Sequence, residues 1–189
     1  MGWHHIISIS AYDHLSFVVT LCALFSIGEW KKVLTLVTAF TIGHSITLAL
    51  STLNYLPISA KLVEILIPLT IIYTVIRNVL HKESTKHQAV FDKRIISYYI
   101  TALLFGFIHG MGFASSFRLM VGSTSGIVTQ LFAFNCGLEL GQMAIVLVML
   151  SMLFICTKYL HIKQREWNLF VSGSGFSIAV IILLTNLMQ

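Results

Sequence analysis

The chain has 189 residues, of which 57% are hydrophobic and only 10% charged, and its mean hydropathy is +0.88. So few charges cannot keep a globular surface of this size solvated, which excludes a soluble domain and leaves an integral membrane protein. The formal charge of +5 does not point to nucleic acid, because the basic residues sit in short gaps between apolar runs, where they act as membrane-flanking anchors.

Apolar windows of about 20 residues, the length that crosses ~30 Å of hydrocarbon, can be placed six times. They fall at 5–28, 33–53, 59–80, 95–117, 125–157 and 167–187. The prediction is an all-α, polytopic membrane helix bundle, a single transmembrane domain over residues 1–189. Met1–Ala11 carries no lysine or arginine, and Asp13 and His14 interrupt the apolar run. The first span is therefore expected to be retained rather than cleaved as a signal peptide. His4 and His5 lie at its outer edge, where they could receive an ion, and Ser10, Asp13, Ser16 and Thr20 share a polar face.

The second span contains TAFTIGHSITLAL (Thr38–Leu50), with a polar stripe of Thr41, His44, Thr47 and Ser51. Glu64 lies toward the outer face of the third. The gap from His81 to Arg94 is only a loop, so no second domain is expected. In the fourth span Gly106, His109, Gly112 and Ser116 form a small-residue face on which the imidazole is the one bulky group. In the fifth, Asn135, Glu139 and Gln142 share a face. That span is too long to stand upright, so either it tilts or its outer end belongs to a loop. Cys22, Cys136 and Cys156 lie in apolar runs without paired spacing and read as small buried packing residues. His81, His87 and His161 fall in cytoplasmic loops and read as solvated.

Of the twelve basic residues, ten (Lys31, Lys32, Arg77, Lys82, Lys86, Lys93, Arg94, Lys158, Lys163 and Arg165) fall on one side of the six spans, and Lys61 and Arg118 on the other. By the positive-inside rule the first side is cytoplasmic and both termini face outward. Ala39-Phe40-Thr41-Ile42-Gly43 in the second span echoes Ala133-Phe134-Asn135-Cys136-Gly137 in the fifth. With three spans per half these helices run in opposite directions, as a 3+3 inverted repeat requires.

An ionisable side chain at mid-bilayer costs several kcal/mol unless it faces a partner or water. Asp13, His14, His44, His109 and Glu139 come from four spans at similar depth, and together they suggest a metal or proton site. A lone histidine would more often be an interhelical hydrogen-bonding residue. Imidazole with carboxylate suits Ni²⁺, Co²⁺, Zn²⁺ or Fe²⁺, and the lack of a thiolate set argues against a cuprous site. Asn135, Gln142, Glu64 and His5 are candidate supporting or access residues. Ligand binding requires neutral histidine and ionised carboxylate, so metal uptake displaces protons.

Several motifs resemble those of the HupE/UreJ family. They are G-x-x-H-I…Y-D-H-L-x-F (Gly2 to Phe17), TAFTIGHSITLAL, FGFIHGMGFASSF (Phe105 to Phe117) and FNCGLELGQ (Phe134 to Gln142), with Pro57 and Val63-Glu64 also fitting. The resemblance covers all six spans. It implies a small multi-pass protein of the bacterial cytoplasmic (inner) membrane that takes up nickel or cobalt for hydrogenase or urease maturation. It also implies that His5, Asp13, His14, His44, His109, Asn135 and Glu139 are the family's polar positions. Two features depart from the pattern: His5 and Asp13 are eight residues apart, and Arg77-Asn78 stands where an acidic residue is expected before the asparagine.

The expected function is secondary transport of a divalent metal, most simply nickel, with the metal ion as substrate and membrane lipid as surroundings. Asp13, His14, His44, His109 and Glu139 are its expected ligands. Asp13 and His14 point about 100° apart on a helix, which sets them against sharing one ion. A zinc-dependent intramembrane hydrolase or transferase acting on a lipid-linked substrate would use the same ligands. A haem b held by His44 and His109 is a third reading.

Overall fold

The computed structural model describes residues 2, 12–56, 59–81, 90, 93–121 and 126–188. Every regular element among them is helical: α1 (Tyr12–Cys22), a 3₁₀ turn (Ile27–Glu29), α2 (Trp30–Thr52), α3 (Ala60–Leu80), α4 (Lys93–Val121), α5 (Ile127–Lys158) and α6 (Gln164–Met188). Five stretches, 27–52, 60–80, 95–120, 127–158 and 164–188, are long and apolar enough to cross a membrane. The protein is an all-helical membrane protein.

The first window behaves differently from its expectation. Its described helix is 11 residues long, about 16 Å, half of a hydrocarbon core, and it ends at Cys22 rather than near 28. Residues after Cys22 are recruited to start the next helix instead. The Glu29 carboxylate accepts the Ser26 backbone N–H (3.1 Å) and pairs with Lys32, which holds the turn in front of Trp30. Because α1 stops short, its last carbonyls need donors from elsewhere. Asn78 Nδ2 of α3 donates to Thr20 O (2.7 Å), and in the segment just after the helix Gln164 Nε2 of α6 donates to Phe25 O (3.1 Å). Asn168 Nδ2 in turn donates to Asn78 O, and Ser172 Oγ to Asn168 Oδ1, each at 3.0 Å. This buried amide network locks α1, α3 and α6 together.

The 32-residue α5 is one unbroken helix of about 48 Å. Of the two explanations for its length, a loop at the outer end is overturned from Ile127 onward, where the chain is already helical. Elsewhere α2, α4 and α6 begin two or three residues before their apolar windows, because charged flanks such as Lys31 and Lys32 end a hydropathy window without ending a helix, while α3 keeps within its window.

Helix α2 packs most extensively on α4, and α3 on α6, while the short α1 packs on α2, α3, α5 and α6 and meets α4 through side chains such as Phe17 and His14. The α2–α4 contact is close because it is built on glycine. A Cβ at Gly43 would run into Leu103 O, one at Gly106 into Phe40 O, and one at Gly110 into His44 O. With little hydrophobic drive between helices in lipid, such close backbone approach is what holds a pair together. It also sets His44 and His109 at one height. Around them Phe17, Phe40, Leu36, Leu138 and Ile71 form a fully buried core.

Cys22 is buried, but Cys156 is half-buried and Cys136 is exposed on the outside of α5, so Cys136 is not a core-packing residue. His161 is exposed, whereas His81 is half-buried with its Nδ1 3.1 Å from Tyr98 OH, so it is not simply solvated. His87 lies outside the described residues.

Candidate metal centre

Asp13 sits in the first described turn of α1, and its Oδ1 accepts two hydrogens from its neighbour. One comes from the His14 backbone N–H (2.8 Å) and one from the His14 ring Nδ1 (3.0 Å). The carboxylate thus folds back along the helix onto the imidazole, which overcomes the 100° between their Cα directions. Donating from Nδ1 leaves the lone pair of a neutral His14 on Nε2.

His109 comes in from α4 and is fully buried. Its Nε2 lies 3.1 Å from Thr70 Oγ1 of α3, and Thr70 Oγ1 donates to Ile67 O at 2.7 Å. A hydroxyl has one proton. With that proton committed to Ile67, Thr70 must accept from His109, so Nε2 carries hydrogen and Nδ1 carries the lone pair. Nδ1 is buried and has no hydrogen-bond partner among the described residues. An unsatisfied ring nitrogen costs free energy unless something else comes to it.

One ligand atom from each of Asp13, His14 and His109 lies within 4.8 Å of the other two. Donors on a tetrahedral ion with bonds of 2.0–2.1 Å lie about 3.3 Å apart, so side-chain adjustments on the order of 1 Å bring all three to one ion. The donor set, two imidazoles and a carboxylate with Thr70 orienting one ring, suits a borderline divalent metal.

His44 of α2 is fully buried beside this group, its ring centroid 5.5 Å from that of His14, while His14 and His109 are 4.9 Å apart. Phe17 and Phe40 close over the imidazoles, each 5.2 Å from the His109 ring.

The fifth expected ligand is elsewhere. Glu139 of α5 accepts a hydrogen bond from Thr38 Oγ1 (2.6 Å) on α2 and is not part of the three-residue group. One turn on, Gln142 is fully buried and its Oε1 accepts from Thr41 Oγ1 (2.6 Å), so two polar pairs zip α2 to α5. Asn135 Oδ1 and Gln142 Nε2 are buried without a partner among the described residues. Glu64 is exposed near the start of α3, and His4 and His5 lie outside the described residues.

Most serines and threonines of the polar stripes bond back to their own helices, as with Thr20 to Ser16 O and Thr47 to Gly43 O. Thr70 was not among the candidate residues. Its signal was the spacing of Thr70, Thr74 and Asn78, one polar stripe at steps of four along α3.

A family model described as HupE / UreJ protein matches residues 1–187. The chain belongs to the HupE/UreJ family. No curated protein and no solved structure matches it. In this HupE/UreJ protein the histidine- and carboxylate-bearing motifs are no longer only neighbours in a pattern: those of α1 and α4 meet in one group, its two histidines buried.

Proposed function

We propose that this HupE/UreJ protein is a secondary transporter carrying nickel or cobalt across the bacterial cytoplasmic membrane to supply hydrogenase or urease maturation. The observation that carries the reading is the convergence of half-buried Asp13 with buried His14 and His109, from two helices and with ligand atoms within 4.8 Å of one another. In this reading His14 Nε2, His109 Nδ1 and an Asp13 oxygen hold the ion, and His44 adds a donor from α2. Glu139, with Gln142 and Asn135, lies on the ion's onward path. Six spans in a 3+3 inverted arrangement, with both termini outside, would let the site face each side of the membrane in turn.

The ion binds only to neutral imidazoles, so loading releases protons and weakens as the pH falls. That coupling lets a proton gradient drive transport. The test is equilibrium binding of Co²⁺ or Ni²⁺ to the purified full chain, with uptake into proteoliposomes, for wild type, His44→Ala and His109→Ala. The expected result is loss of both binding and uptake in the histidine variants, and weaker wild-type binding as the buffer is acidified. Unchanged binding and uptake in both variants would overturn the reading.

A further inference from the structure

A polar cavity of about 160 Å³ opens between α3 and α4, at the ends of these helices away from Arg77 and Lys93. Ser51, Glu64, Met111, Gly112, Ser115 and Arg118 are among its lining residues. It lies along the same two helices that carry the Thr70–His109 bond. From Glu64 to Thr70 is six residues of α3, about 9 Å of helix, and from Gly112 to His109 is under one turn of α4.

Ser51 Oγ is 6% exposed as a residue, lines the cleft and has no hydrogen-bond partner among the described residues. Arg118 is turned away toward α2, where it donates to Asn54 Oδ1 (2.6 Å) and Ser51 O (2.7 Å). Among the described residues no ion pair joins it to Glu64, whose carboxylate is exposed and open to a cation. The part of the cleft nearest His109 along α4 is at Gly112, the neck of the route inferred below. Gly112 is exposed to the cleft and faces α3, where a Cβ would come 2.9 Å from Ile67 Cδ1 and 3.3 Å from Val63 Cγ1, so a larger side chain at 112 would narrow it.

We infer that the metal reaches the His/Asp group through this cleft: Glu64 gathers the cation at the outer mouth, and Gly112 keeps the neck beneath it passable. This rests on the transport reading above. It adds a route, a capture residue and a neck residue, none of which touches the ion once it is bound.

The experiment is Co²⁺ uptake by the full chain in proteoliposomes, paired with equilibrium Co²⁺ binding to the same purified variants. Gly112→Leu should slow uptake about tenfold while leaving the amount of Co²⁺ bound at equilibrium unchanged, and Gly112→Ala should slow it far less. Glu64→Gln should raise the half-saturating Co²⁺ concentration several-fold, with Glu64→Asp restoring it in part.

As a check independent of the bulky substitution, Ser115→Cys is introduced with Cys22, Cys136 and Cys156 replaced by alanine. A membrane-impermeant cationic thiol reagent applied from the outer side should modify it and block uptake. Wild-type uptake in both Gly112→Leu and Glu64→Gln, or uptake unaffected by modification at 115, overturns the route. Failure of the wild-type protein to bind Co²⁺ overturns the underlying site instead.

Discussion

Thr70 shows how a residue without charge decides what a charged neighbour can do. By accepting from His109 Nε2 while donating to Ile67 O, it presents the lone pair of Nδ1 to the site. Outer partners of metal-binding histidines are commonly worth 10- to 100-fold in affinity. Thr70→Val keeps the shape and removes the acceptor. It is expected to weaken Co²⁺ binding about 10-fold or more without lowering the melting temperature to match, whereas Thr70→Ser should retain most of it. Equal affinity in Thr70→Val and wild type would show that the hydroxyl does not set the tautomer. His109 was readable in the sequence because an imidazole stands out in an apolar run. Thr70 was not, because membrane threonines mostly bond to their own helix, and only the stacking of α3 on α4 shows that this one also reaches across.

Pro68 lies inside α3 and cannot supply the N–H that would bond the carbonyl four residues earlier, Glu64 O. Asn186 of α6 replaces that missing donor, its Nδ2 lying 2.7 Å from Glu64 O. A proline within a membrane helix is tolerated where a neighbour satisfies the freed carbonyl in this way. Asn186→Leu should cost about 1–3 kcal/mol, read as a lower melting temperature in detergent. In a Pro68→Ala background, where the helix regains its own N–H, the same substitution should cost much less. Additive losses in the double variant would refute the pairing.

The bound also reaches the outer cleft, since it anchors the turn of α3 that carries Glu64. Helix ends illustrate what hydropathy could and could not deliver. Windows located α2 to α6 to within a few residues, but the early stop of α1 came from the Ser26–Glu29–Lys32 turn and from Asn78 capping it across the bundle. Those are contacts between segments, and a running average along the chain does not register them.

Taken as a whole, the bundle joins a polar, glycine-seated interior to an apolar exterior. Leu119, Val128, Phe132, Leu147 and Phe170 are exposed, as expected of helices whose outer faces meet lipid. The ten-to-two division of basic residues predicts that the C-terminus is extracytoplasmic. Alkaline phosphatase fused after Gln189 should therefore be active, and green fluorescent protein fused there should be dark. The same pair inserted in the 82–89 loop should give the reverse pattern. A fluorescent C-terminal fusion would invert the orientation and place the proposed cleft on the cytoplasmic side.

Membrane residence and helicity were determined by the sequence alone, because apolar length and charge spacing act locally and add along the chain. So was the presence of ionisable groups within apolar segments on separate helices. Which of them meet was decided only by tertiary packing. Helical phase says which residues of one helix share a face, but not how that helix is rotated against its neighbours. The glycine contact between α2 and α4 levelled His44 with His109, and the Asp13 carboxylate folded onto His14 despite their divergent directions. Glu139, equally conspicuous in the sequence, was drawn to Thr38 instead. A metal site depends on distances of a few ångströms between helices, and such distances are set by the assembled bundle.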